Sequence, residues 1–133
     1  MTAESFRLAR TGNRPLVFDG SLISEATSKD HDSSRWHELA LYRSGAGKWV
    51  VLVAFCTRWQ GELDHHEAEI FETPELAAAW LRGFVPTANL LGYPDGEAYR
   101  AKQLRLEKLL IQRFAVAVSE LLERVPSFDE MID

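Results

Sequence analysis

Cysteine is nearly absent: Cys56 is the only one in 133 residues, so no disulfide can close within the chain. A reducing compartment suits such a sequence, and a cytoplasmic setting is the expectation. Long apolar runs are missing too. The longest, through Val50–Cys56, falls far short of a bilayer span. Met1–Ser5 carries no basic stretch leading into an apolar one, so neither a signal peptide nor a membrane partner is expected. Positive charge is in deficit, with 15 Lys and Arg against 20 Asp and Glu and a net charge of -5. A phosphate backbone is held by positive surface, which disfavours a generic nucleic-acid binder. Repeats and low-complexity segments are absent as well.

What is there is globular. Hydrophobic residues at 46% and charged residues at 26% suffice for a packed core and argue against disorder. One domain over residues 1–133 is expected, with 1–14 and 126–133 as loose tails. Phe6 and Leu8 suit a short first strand, and Leu16–Thr27 alternates as a second, with Gly20 as a bulge. The clearest signal is a hairpin. Arg35–Arg43 and Lys48–Trp59 are aromatic and β-branched, and Ser44-Gly45-Ala46-Gly47 lies between them.

With Arg43 opposite Lys48, cross-strand partners have numbers summing to 91. One face then carries Trp36, Glu38, Tyr42, Trp49, Phe55 and Trp59, and His37 lies opposite Ala54 on the other. Both faces are apolar, which implies cover on both sides. Ala68–Glu72 reads as a further strand. Thr73-Pro74-Glu75 starts a helix, with a hydroxyl cap, proline at the first position and an acid in the first turn. That helix ends near Gly83. A second, capped by Asp95, runs from about Gly96 to Arg124 on an apolar stripe of Leu106, Leu110, Phe114, Ala117, Leu121 and Val125, widened by Leu109. The fold class is therefore α+β: an antiparallel meander of about four strands, a short helix, and a long C-terminal amphipathic helix.

Several residue groups invite chemistry. His65 and His66, with Glu62, Asp64, Glu67 and Glu69, form the densest set of potential metal ligands, and Asp30-His31-Asp32 is a second. A metal-dependent hydrolase using His65 and His66 is one alternative. Neither His-Glu-x-x-His nor paired cysteines accompany them, and a solvated loop is the plainer reading. Cys56 with His37 as base would make a nucleophile pair, but an apolar strand favours a buried, inert thiol. Ser44-Gly45-Ala46-Gly47-Lys48 joins two strands and opens no helix, so it is no phosphate loop. No cofactor is expected.

The tryptophans are the most distinctive feature. Trp36, Glu38, Tyr42, Trp49, Arg58 and Trp59 make an aromatic and basic face suited to a protein hot spot or to base stacking. Glu38 is its odd member, because a buried acid requires a partner such as an arginine. In layout, residues 35–93 resemble the WGR domain: a strand with Leu and Tyr, a hairpin, a strand ending in Arg58-Trp59, then a strand with Phe71, an Ala-rich helix and Gly92-Tyr93. The resemblance implies binding to nucleic-acid ends; read from the residues alone, Arg35, Arg43, Lys48 and Arg58 beside the tryptophans are the cations such binding would use. The family's Trp-Gly-Arg run is replaced here by Trp59-Gln60-Gly61-Glu62, so no site residue carries over. The leading expectation is a non-enzymatic, homodimeric interaction or adaptor module. Dimerisation would cover apolar surface that one short helix leaves open.

Overall fold

The computed structural model describes residues 4–31, 33–90 and 97–125. Five strands, β1 (Glu4–Arg10), β2 (Asn13–Thr27), β3 (Arg35–Ser44), β4 (Trp49–Thr57) and β5 (His65–Phe71), precede α1 (Pro74–Gly83) and α2 (Glu97–Glu123). The strands pair antiparallel in sequence order, so the α+β meander is as read, with five strands rather than about four. Residues 4–10 are a paired strand and not a loose tail. The cap at Asp95, Gly92-Tyr93, Asp32 and the tail from Pro126 lie outside the described residues.

The β3–β4 register differs by one residue from the sequence reading. Arg43 faces Trp49, and partner numbers sum to 92. The Ser44 amide bonds the Lys48 carbonyl at 2.8 Å, so these two residues close the ladder. Only Gly45-Ala46-Gly47 remains as the loop, with Gly47 left-handed at φ 84. One residue fewer in the loop turns every β4 side chain to the other face. Trp49, Val51, Val53 and Phe55 therefore leave Trp36 and Tyr42 and join Leu39 and Leu41.

That second set forms the main core. Leu39, Leu41, Trp49, Val51 and Val53 pack beneath Ala77, Ala78 and Leu81 of α1 and Phe114, Ala117, Leu121 and Val125 in and after α2. α1 begins as its sequence dictates: the Thr73 hydroxyl accepts the Leu76 amide and Pro74 opens the first turn. The α2 stripe holds from Leu110 onward, but Leu109, expected within it, is 41% exposed.

The opposite sheet face is closed by the sheet itself. Phe6, Phe18 and Tyr42 form an aromatic trio with centroids 4.8 to 5.5 Å apart, beside Leu8, Ala40, Val50 and Ala68. The β1–β2 turn reaches β5, where the Thr11 amide donates to the His66 carbonyl at 2.8 Å and the Thr11 hydroxyl accepts the His66 amide at 2.8 Å. The curl thus covers the second apolar face within the chain, and no second copy is needed there. Gly20 permits the close approach of β2 to the β3 backbone at Arg43 without being the bulge: the β2–β3 register shifts between Leu22 and Ser24. That shift turns Ser24 under α2, where its hydroxyl donates to the Leu121 carbonyl at 2.9 Å. Among the described residues no helix is long and apolar enough to cross a membrane.

Candidate functional site

The six residues read as one aromatic and basic face divide four ways. Tyr42 is core within the curl, and burial, then the charge of Glu25, raises its hydroxyl pKa. Trp49 is core on the helix side, with the Arg43 guanidinium 4.8 Å from its ring centroid. Trp36, Glu38 and Arg58 remain together at the end of β3 and β4, while Trp59 parts from them to lie with Arg35 and Ser34. Lys29 Nζ lies 4.7 Å and Arg58 Cζ 5.4 Å from the Trp36 ring centroid. Glu38 is exposed, not buried, and its Oε1 accepts the Trp36 indole N–H at 3.4 Å rather than an arginine.

Among the described residues the buried acid is Glu62, which in the sequence reads as one of several candidate metal-ligating carboxylates. Arg35 Nε donates to Glu62 Oε1 at 2.9 Å and Arg35 Nη2 donates to Oε2, with side chains only 5% and 1% exposed. The Thr57 hydroxyl donates to the same carboxylate at 2.6 Å. Trp59 lies over the Arg35 guanidinium at 4.6 Å, and its indole N–H donates to Ser34 Oγ at 2.9 Å. Further bonds set the backbone between Thr57 and Asp64. The Thr57 amide donates to Asp64 Oδ1 at 2.9 Å, the Arg58 amide to the Ser34 carbonyl at 2.8 Å, and the Glu62 amide to the Trp59 carbonyl at 3.1 Å. Gly61 takes the left-handed φ of 88 that the turn requires. The loop so pinned leaves Trp59 43% and Leu63 82% exposed. Nothing local signals this arrangement, because Arg35 and Glu62 stand 27 positions apart.

The candidate catalytic and metal groups do not converge. His37 pairs with Phe55, not Ala54, so it lies on the sheet face opposite Cys56. It sits among Phe55, Phe84 and Phe114, where burial lowers its pKa to about 4 against the opposing effect of a hydrogen bond to the Pro86 backbone. The Cys56 thiol is pushed up to about 11, first by burial and then by Glu38 and Asp64. Both shifts oppose a thiolate–imidazole pair. His65 and His66 belong to β5 rather than to a loop, opposite Phe55 and Ala54 respectively, so they project to opposite faces. His65 lies 3.6 Å from Glu67, and Asp30 pairs with Arg113 at 2.9 Å. Among the described residues no three His, Cys, Asp or Glu side chains gather to hold a metal ion.

The cations that a nucleic-acid reading would use are also dispersed. Arg35 and Arg58 lie at one end of the strands and Arg43 and Lys48 at the other, about 27 Å away along β3. Lys48 pairs there with Glu72 at 3.2 Å. Comparison with protein-family models, curated proteins and solved structures returns no match to this chain.

Proposed function

We propose that this chain is a small non-enzymatic protein-interaction module of adaptor type, homodimeric, that presents its β4–β5 loop to a protein partner. The observation that carries this reading is the exposed pair Trp59 and Leu63 on a loop pinned by the buried Arg35–Glu62 pair. Burying two charges costs several kcal/mol of desolvation before their attraction offsets it. A loop fixed in this way loses little conformational freedom on binding. Tryptophan is enriched at the centres of protein interfaces, and Trp59 is 43% exposed here. A cytoplasmic setting belongs to this reading, since an unpaired thiol such as Cys56 is ordinary there.

Site-specific photo-crosslinking tests it. A photoreactive residue at Leu63 should yield a discrete protein adduct in cells, suppressed by Trp59→Ala and by excess unlabelled protein. The same probe at exposed Glu75 serves as control. Equal labelling from both positions would remove the loop as a binding surface. Salt-sensitive binding of a fluorescent single-stranded oligonucleotide, lost on Arg58→Ala, would transfer the site to nucleic acid instead.

A further inference from the structure

α2 buries one side in the core through Leu110, Phe114, Ala117 and Leu121. A different side stays in solvent. Lys102, Arg105, Leu109, Gln112, Val116 and Glu123 follow one another there at steps of three, four, three, four and seven, the spacing of a helix-pairing seam. All six are exposed, including Leu109 at 41% and Val116 at 58%. From Lys102 to Glu123 the seam runs about 32 Å. Its ends differ in sign: Lys102 and Arg105 stand at the start, Glu120 and Glu123 at the finish.

We infer that a second copy of this chain covers the seam, with the two α2 helices antiparallel about a two-fold axis beside Gln112 and Arg113. Opposed residues then have numbers summing to 225. Lys102 meets Glu123 of the second copy, Arg105 meets its Glu120, and Leu109 meets its Val116. The two-fold repeats each contact, so the patch is self-complementary, as an isologous dimer requires. A parallel pair would set Lys102 against Lys102 and Glu123 against Glu123, and like charges in register repel. Arg113, beside the axis, already has a counter-charge in Asp30 at 2.9 Å. The apolar part is only Leu109 and Val116 from each chain, so charge pairing carries much of the association, which falls with salt.

This inference rests on the homodimer reading and specifies its contact. The test is light scattering on the wild type and two variants, Lys102→Glu/Arg105→Glu with an acidic seam and Glu120→Lys/Glu123→Lys with a basic one. The wild type should return about twice 15.1 kDa at low salt. Each variant alone should return the single-chain mass, and their equimolar mixture should regain the doubled mass as a heterodimer. Recovery on mixing also shows that both variants are folded. A wild-type dimer with variants that dimerise on their own would overturn the seam and leave the homodimer standing. A wild type of single-chain mass at tens of micromolar would overturn both. Variants that stay apart on mixing, while retaining the wild-type circular dichroism spectrum, would also overturn the seam.

Discussion

The guanidinium of Arg35 and the indole of Trp59 lie one over the other, 4.6 Å from carbon to ring centroid, with the cation buried and the ring 43% exposed. Below the ring, Glu62 takes two of the arginine's donors. Trp59 thereby screens the ion pair from water on one side while offering surface on the other. The strength of the pair and the exposure of the tryptophan are two results of one packing arrangement.

Removing one member of that pair should be costly. Arg35→Met leaves a buried carboxylate without its cation and should destabilise the protein by about 3–5 kcal/mol in urea titration. The double variant Arg35→Met/Glu62→Leu should recover most of the loss, because both charges are then gone. A single-variant loss under about 1 kcal/mol would show that the pair is solvated.

His37 should give stability an acid-sensitive component. Its folded pKa of about 4 lies below the ordinary 6.5, so the unfolded chain binds the proton more readily. The contribution is fully present above about pH 6.5, declines as pH falls, and is lost by about pH 4. The total is about 3 kcal/mol. Urea titrations at pH 7 and pH 4.5 check this: His37→Phe should lose less stability between the two than the wild type. An equal loss would mean that His37 is accessible when folded.

Cys56 should be slow towards alkylating agents. A thiol pKa of about 11 instead of 9.0 leaves about a hundredfold less thiolate at pH 8. Iodoacetamide labelling of native protein, followed by mass spectrometry, should lag the urea-unfolded chain by at least that factor. Matching rates would place the thiol in open solvent.

Gly20→Ala should force β2 and β3 apart. A Cβ there would meet the Arg43 carbonyl oxygen at 2.2 Å, and a backbone atom cannot yield as a side-chain tip can. The variant should melt many degrees lower, in line with the larger single-site losses of several kcal/mol. Gly12→Asn, in an open left-handed turn, is the mild control, since asparagine tolerates that conformation. Equal melting temperatures for the two variants would refute the close approach.

Much of the fold was legible because its causes are local. Thr73, Pro74 and Glu75 satisfy the first turn of α1 within four residues, and the α2 stripe from Leu110 to Val125 follows helical periodicity alone. β5 was half hidden. His65, His66 and Glu67 read as a polar loop, yet they are a strand because β4 and the Thr11 turn supply partners for their backbone. The candidate site is only partly legible: Trp59 stands out in the sequence, while Glu62 reads as a possible metal ligand and Arg35 as a cation for phosphate.

The sequence by itself determined most of the strands and both helices, where α1 starts, and that no disulfide can close within the chain. Those outcomes depend on periodicity, capping and composition, which act over a few residues. The tertiary structure decided which side chains meet. A single loop residue between Ser44 and Lys48 reversed the faces of β4 and separated Trp49 from Trp36. The curl that brings Thr11 to His66 closed the second apolar face within the chain. The approach of the β4–β5 loop to β3 joined Arg35 to Glu62 across 27 positions. Strand periodicity specifies alternation but not its phase, and loop closure sets which distant residues come together, so neither was written in any one stretch of residues.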